Sequence, residues 1–440
     1  MMDLERFLDE NVKPAAGCTE PVAIGYAVSL AYNSIFGNLP DDPCKDVPIP
    51  EPDSLKEVRL KVGKGVYKNA FSMSVPGTKG KKGIEVAAAL GMYLDPKKEL
   101  ELFEDVDEDV LNRAMNIVDQ NKIKITDVKD KAEFDISVEM IYISEEHKTS
   151  SSVRLEKFHD HISSIIVDGE VLYRDENIQK EHRSINVPNS IEEMVDASKN
   201  IDEKLIDRLY SGIEMNMARS EDGLENDYGM GVGRMLNEMV ESDELSDDLI
   251  NKVKMMTAAA ADARMGGIEK PVMSTSGSGN QGITVLVPIG VVGKEMELNK
   301  RKMAEGAMLA HQITKFSTEK SSYLSALCGC SVKAGMGTTA ALTYIMGGSV
   351  EQIKSSIKLL AGNLTGMICD GAKEGCALKI STAAGEALEC SLLALKSLEV
   401  PNDNGIVGNT AEETLENIGK ISDEMASIDL KIIDILEKKK

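Results

Sequence analysis

Tryptophan is absent from this chain, and aromatic residues make up only 4% of it. A core with so few rings has to be filled by Ala, Ile, Leu, Val and the 23 Met. Such side chains suit helices packed closely through small contact residues. Basic residues are also short: 50 Lys and Arg face 73 Asp and Glu, for a net charge of −23. A surface this acidic repels nucleic acid and anionic lipid, which excludes both as partners. No apolar run approaches the roughly 20 residues that a membrane helix needs. The first residues, "MMDLERFLDENVKP", are acidic and amphipathic and do not read as a signal peptide, so the expected compartment is the cytoplasm. Cysteine is the exception among the scarce residues. There are seven, an odd number, and a reducing compartment disfavours disulfides. Thiols kept there are buried small hydrophobes, metal ligands or catalysts.

The pattern along the chain predicts a mixed α and β protein. Residues 3–11 read as a short helix ended by Lys13-Pro14, and "AAGCTEPVAIGYAVSLAYNSIFG" starts a second, with Thr19 as its N-cap. Residues 38–53 carry five prolines and read as a linker. "EVRLKVG", "KIKITDV", "EFDISVEMIYIS", "TSSSVRLEKF" and "SSIIVDGEVLYR" read as strands, with Asp168-Gly169 as a hairpin turn and two helices between the first two strands. From "SIEEMVDAS" onward the pattern is helical almost to the end, and Met265-Gly266-Gly267 reads as a helix C-cap. The expected architecture is a large all-α catalytic domain, residues 1–45 plus 186–440, with an inserted α+β domain, residues 54–185, carrying an antiparallel sheet.

Four of the cysteines fall within a window of about fifty residues, in glycine-rich segments: "CGCSVKAGMG" with Cys328 and Cys330, and "GMICDGAKEGC" with Cys369 and Cys376. Glycine lets backbone N–H groups approach sulfur, an environment that iron–sulfur clusters use. The spacings fit neither a zinc ribbon nor a ferredoxin run. Buried packing thiols are the competing reading, and spacing alone tilts slightly toward it. Cys18 sits just ahead of a helix N-terminus, where the dipole favours a thiolate base, nucleophile or ligand; a Cys packed in a turn is equally compatible. "MSTSGSGNQGI", with Ser274, Thr275, Ser276, Ser278 and Asn280, leads into an apolar helix and suits a small anion. It lacks the Lys of a phosphate loop, so a carboxylate fits better than a nucleotide. Lys79, Lys81 and Lys82 could attract an anion or simply be solvated, and "HDH" at 159–161 reads as a surface turn.

"PAAGCTEPVAIGYA", "VPGTKGKKGIEVAAALG", "MSTSGSGNQGI", "CGCSVKAGMGTTAA" and "GMICDGAKEGCALK", in this order from residue 14 to about 397, resemble the L-cysteine desulfidase family, which is related to the iron–sulfur L-serine dehydratase alpha chain. The resemblance implies a [4Fe–4S] lyase acting on a small L-amino acid, with Cys330, Cys369 and Cys376 as cluster ligands and Cys328 as a bystander. The spacing between the last two cysteines is shorter than in the dehydratases. Cys18 is then the base or a switchable fourth ligand, and Ser274, Thr275, Ser276 and Asn280 hold the substrate carboxylate. The implied reaction is β-elimination on L-cysteine, giving pyruvate, ammonia and sulfide. L-Serine dehydration is the nearest alternative, followed by hydro-lyase activity on a hydroxy acid. A non-catalytic helical protein that senses thiols or metal is the alternative of another class. The Ala-, Gly- and Met-rich helices could also pack between subunits of a homo-oligomer.

Overall fold

Helix starts are written into the sequence as acidic and hydroxyl side chains. Asp3, Asp107, Ser190, Asp202, Asp248, Ser278, Ser349 and Thr410 each accept the backbone N–H of the residue three further on. Each satisfies one of the donors that a helix N-terminus leaves open. The computed structural model describes residues 3–39, 47–126, 134–143, 147–157, 159–175, 187–321 and 323–439. The middle of the proline-rich linker, the 176–186 stretch with the expected domain boundary, Cys44 and His182 lie outside the described residues.

In chain order, α1 (Leu4–Asn11) and β1 (Pro14–Ala15) lead into α2 (Thr19–Ile35). There follow β2 (Leu55–Val62), α3 (Lys64–Ala70), α4 (Ile84–Gly91) and α5 (Glu108–Asp119). Next come β3 (Ile123–Thr126), β4 (Asp135–Ile143), β5 (Lys148–Glu156), β6 (Ile162–Val167) and β7 (Glu170–Arg174). The helical part holds α6 (Ile191–Lys199), α7 (Glu203–Glu225), α8 (Val232–Glu241), α9 (Leu249–Met265), β8 (Val272–Met273), α10 (Gly279–Glu295) and α11 (Lys300–Ser321). It closes with α12 (Ala334–Ile345), α13 (Val350–Leu364), α14 (Cys376–Leu395), α15 (Ala411–Glu424) and α16 (Ile428–Glu437).

These elements form two compact units. One unit comprises Ala16–His182, Asp370–Lys373 and Ile428–Lys440. Its six-stranded sheet has the order β3-β2-β4-β5-β6-β7. The sheet is mixed, not purely antiparallel as expected, because β2 and β3 pair in parallel. A parallel pair needs a long crossover, and α3, α4 and α5 supply it. Along β4, Ile136, Val138 and Met140 are buried in alternation, and α2 packs against β4 and β5. Helix α2 therefore belongs with the sheet, whereas its position in the sequence had suggested the helical region. Its apolar residues run all round the helix and are buried on every side. The Asp168-Gly169 hairpin forms as expected, with φ of 48° and 85°, the double left-handed turn that matches strand twist.

The other unit comprises Met1–Ala15, Arg183–Cys369 and Glu374–Ser427. Its helices approach closely where the residues are small. At Gly223 of α7 a Cβ would lie 2.0 Å from the carbonyl oxygen of Ala259 on α9, so only glycine fits. The short β1 and β8 pair antiparallel and tie the N-terminal residues to the serine-rich segment. Helix α9 ends at Met265 with Gly266 as its cap, as the sequence indicates.

The expected helix over 410–437 divides into α15 and α16, and α16 packs on α3 in the sheet-containing unit. There Lys68 Nζ donates to Asp429 Oδ1 at 2.7 Å, with both side chains buried. Removing one partner of such a pair strands a charge and costs about 3–5 kcal/mol, whereas replacing both by apolar groups is often neutral. K68M should therefore lose about 3–5 kcal/mol of stability in urea unfolding, and K68M/D429L should recover most of it.

Candidate active site

Two short segments of the helical unit pair across a gap of some forty residues. Leu327 and Ile368 form an antiparallel bridge. The Cys328 N–H donates to the Met367 carbonyl at 2.9 Å, and the Cys369 N–H to the Ala326 carbonyl at 2.7 Å. Beyond Cys328 the chain makes a π-helical turn over Gly329–Lys333, which carries Cys330 into α12. Such turns are rare and concentrate at functional sites. Cys376 is the first residue of α14, where backbone N–H groups are not yet used by the helix. Cross-links fix these pieces. Cys328 Sγ donates to Ser331 Oγ at 3.4 Å, Ser331 Oγ donates to the Lys379 carbonyl at 3.2 Å, and Lys379 Nζ donates to the Ile368 carbonyl at 2.8 Å.

The sulfurs share one electrostatic neighbourhood. The neighbouring Cys330, against the effect of burial and with help from Ser331 and Lys379, draws the Cys328 thiol down to about 6. Cys330 is pushed well above the usual thiol range by Cys328, by burial, and by the charges of Cys376 and Cys369. Cys328 is buried, while Cys330, Cys369 and Cys376 keep part of their surface exposed. Among the described residues no group of three or more His, Cys, Asp or Glu side chains could hold a single metal ion. A cubane cluster spreads its ligands around a wider body than one ion. Thiolates with nearby backbone N–H groups are the donor set such a cluster uses.

The serine-rich segment lies against the same sulfurs. Ser278 caps α10, and its Oγ is 3.8 Å from Cys330 Sγ. The other expected binding residues divide. Ser274 Oγ donates to the Lys13 carbonyl at 2.6 Å, Asn280 Oδ1 accepts from Arg264 Nη1 at 2.9 Å, and Thr275 Oγ1 is 2.8 Å from His311 Nδ1. These three are engaged with the protein. Ser276, held at a φ of 47°, keeps a buried hydroxyl without a hydrogen-bond partner, as do Gln281 Oε1 and His311 Nε2. Buried polar atoms left unpaired are uncommon and point to a ligand or ordered water. Gln281 continues the serine motif and could have been read from it; His311 sits mid-way along α11 with no local signal.

Cys18 lies in the sheet-containing unit. It is itself the N-cap of α2, displacing Thr19 from that expected role, and makes no cap hydrogen bond. Its Sγ donates to Glu20 Oε2 at 2.9 Å. Asn69 Nδ2 donates to Glu20 Oε1 at 2.8 Å, and His159 Nε2 is 4.0 Å from the same oxygen. The "HDH" segment forms a turn at His159–Asp160, as expected, and is part-buried with both rings engaged. His159 faces Glu20, and His161 bonds Asp175 at 2.8 Å and the Glu156 carbonyl at 2.9 Å. Lys79 is exposed and pairs loosely with Glu108 at 3.4 Å, in keeping with a solvated loop.

The serine dehydratase alpha chain family model matches residues 97–434. The chain belongs to that family. Its relatives include a UPF0597 protein of Caldanaerobacter subterraneus subsp. tengcongensis, 37% identical over 100% of this chain and 99% of the relative. A UPF0597 protein of Clostridioides difficile is 34% identical over 97% of each chain, and one of Desulfatibacillum aliphaticivorans is 33% identical over 98% of this chain and 97% of its own. Among the described residues no helix is long and apolar enough to cross a membrane.

Burial, with Arg208 adding to it, lowers the His311 ring to about 3, so it is neutral in the folded state at ordinary pH. The unfolded ring takes up a proton below about 6.5, which the folded one resists down to its lower value. This site therefore contributes stability above about 6.5 that is lost as pH falls toward 3. H311Q should flatten that part of the stability–pH profile, read by urea unfolding at a series of pH values.

Proposed function

We propose that this chain is an iron–sulfur-dependent lyase that removes the β-substituent of a small L-amino acid, with L-cysteine as the substrate and pyruvate, ammonia and sulfide as the products. The observation that supports this reading is the backbone bridge joining the segment of Cys328 and Cys330 to that of Cys369, with Ser278 Oγ of the serine-rich segment 3.8 Å from Cys330 Sγ. Those three thiolates would hold a [4Fe–4S] cluster, with the N–H groups around the π-helical turn and the start of α14 available to the sulfurs. When bound, such a cluster supplies an iron with an open position, a Lewis acid for the departing group.

The remaining roles fall to the chain itself. Ser276 has a hydroxyl to offer the substrate carboxylate. Ser274, Thr275 and Asn280 act through the backbone and through the partners that hold the segment in shape. Cys18, as a thiolate, takes the Cα proton. The electrons of the Cα–H bond form the Cα–Cβ double bond as the β-substituent departs with its bonding pair. Aminoacrylate then tautomerises to the imine, and water hydrolyses it to pyruvate and ammonia. L-Serine is the second reading, favoured by the description of the matching family model. The low aromatic content and acidic surface accord with a small charged substrate in place of nucleic acid or lipid.

Protein purified without oxygen should contain iron and acid-labile sulfide and release pyruvate from L-cysteine faster than from L-serine. C369S should lose most of its iron. C18S should keep its iron and lose about 10²–10⁴-fold in turnover, the usual worth of a general base. Iron-free protein with full turnover would overturn the proposal. Iron-free protein without turnover on either amino acid would leave a thiol-sensing protein as the better account.

A further inference from the structure

Glu20 is a carboxylate set in an unusual place. It lies in the first turn of α2, 6% exposed, deep in the sheet-containing unit. A carboxylate buried for structural reasons is normally given a Lys or Arg, because an unpaired buried charge is costly. The nearest cation along the chain of contacts, Lys68, is adjacent to Asn69 but spends its ammonium on Asp429. Glu20 is met by a thiol at 2.9 Å, an amide at 2.8 Å, the Thr19 hydroxyl at 3.3 Å and an imidazole at 4.0 Å. The imidazole is held by its edge-on contact with Phe134, ring centroids 4.8 Å apart, and its Nε2 has no hydrogen-bond partner.

The protonation states follow from this company. Burial raises the Glu20 carboxyl, but His159, the Cys18 S–H, the Asn69 amide and its own backbone together bring it below the ordinary range. Burial also lowers His159, against the pull of Glu20 and Asp160. At rest the group is a thiol donating to a carboxylate, with the imidazole behind. The thiol and the carboxyl cannot both be ionised at this separation in a buried setting, since two like charges repel strongly there. Between them they keep one proton.

We propose that Glu20 is the acceptor of the Cys18 proton, so that Cys18, Glu20 and His159 work as one proton-handling unit; this rests on the reading of Cys18 as the base. The proton crosses from Sγ to Oε2, leaving a thiolate beside a neutral carboxyl, and no proton has to reach solvent first. The thiolate takes the Cα proton and is a thiol again. The proton on Glu20 is then given up to water as the products leave, which restores the carboxylate. Asn69 donates to the other carboxylate oxygen and stops the group from turning away, with the His159 ring facing that oxygen at 4.0 Å. Neither contact is visible from the "GCTEP" motif, which places Cys18 and Glu20 two residues apart but says nothing of what faces them.

The test reads the thiol directly. The S–H stretching band of Cys18 is isolated, by Raman spectroscopy of full-length protein purified without oxygen, as the difference between wild type and C18S. A carboxylate acceptor lowers its frequency. The band should lie below that of Cys390, a buried helix thiol isolated in the same way with C390A, and this comparison needs no change at Glu20. E20Q should move the Cys18 band to higher frequency and lower turnover by at least about 10²-fold, the lower range for loss of a proton-transfer group, with iron content unchanged. E20D should keep the low-frequency band and recover part of the turnover. A Cys18 band at or above the Cys390 frequency, or one that E20Q leaves unmoved, overturns the assignment of Glu20. Full turnover in C18S instead sinks the reading of Cys18 as base, whatever the band does.

Discussion

Two backbone hydrogen bonds govern the geometry of the candidate site. By joining Cys328 to Met367 and Cys369 to Ala326, they place thiols far apart in sequence side by side. The π-helical turn and the start of α14 then bring in Cys330 and Cys376 from either flank. Backbone pairing is well suited to this task. It fixes Cα positions without consuming side chains, and it is indifferent to the chemistry of what the sulfurs later hold. The side-chain links through Ser331 and Lys379 lock the register that the backbone sets.

The helical unit and the sheet-containing unit solve the problem of scarce aromatics in different ways. In the first, close approaches such as Gly223 against Ala259 let backbones meet, and a dense core of Ala, Ile, Leu, Val and Met follows. In the second, the alternating faces of β4 and β5 receive a helix with apolar residues on every side. Each also encloses polar groups with unspent hydrogen-bonding capacity: Ser276, Gln281 and His311 in one, Asn69 and His159 in the other. Buried polar atoms of this kind are a cost to stability that a fold tolerates where function needs it.

Local signals carried much of this into the sequence. Caps such as Asp202 and Thr410, the Asp168-Gly169 hairpin and the Gly266 helix end depend on residues within a few positions of one another, and they are readable there. The glycine-flanked cysteines were legible as a group for the same reason. What was not legible is set by contacts that no short window contains. Helix α2 goes with the sheet because its apolar surface fits β4 and β5, and the parallel β2–β3 pair depends on a crossover of three helices. Lys68 finds Asp429 across 361 residues, and Glu20 finds His159 from another element altogether. Thr275 meets His311 from α11, a contact that the serine-rich motif does not contain.

The partial exposure of Cys330, Cys369 and Cys376 has a chemical consequence. Sulfur that a small amino acid can approach is also within reach of dioxygen and peroxide, whereas Cys390 is shielded inside its helix bundle. Damage in air would begin at those three positions and climb from sulfenic acid toward irreversible acids, or stop at a disulfide between near neighbours. None of the three is among the buried core residues, and Cys330 only packs against them from outside, so the fold would outlast its chemistry: aerated protein would stay compact and helical while inert.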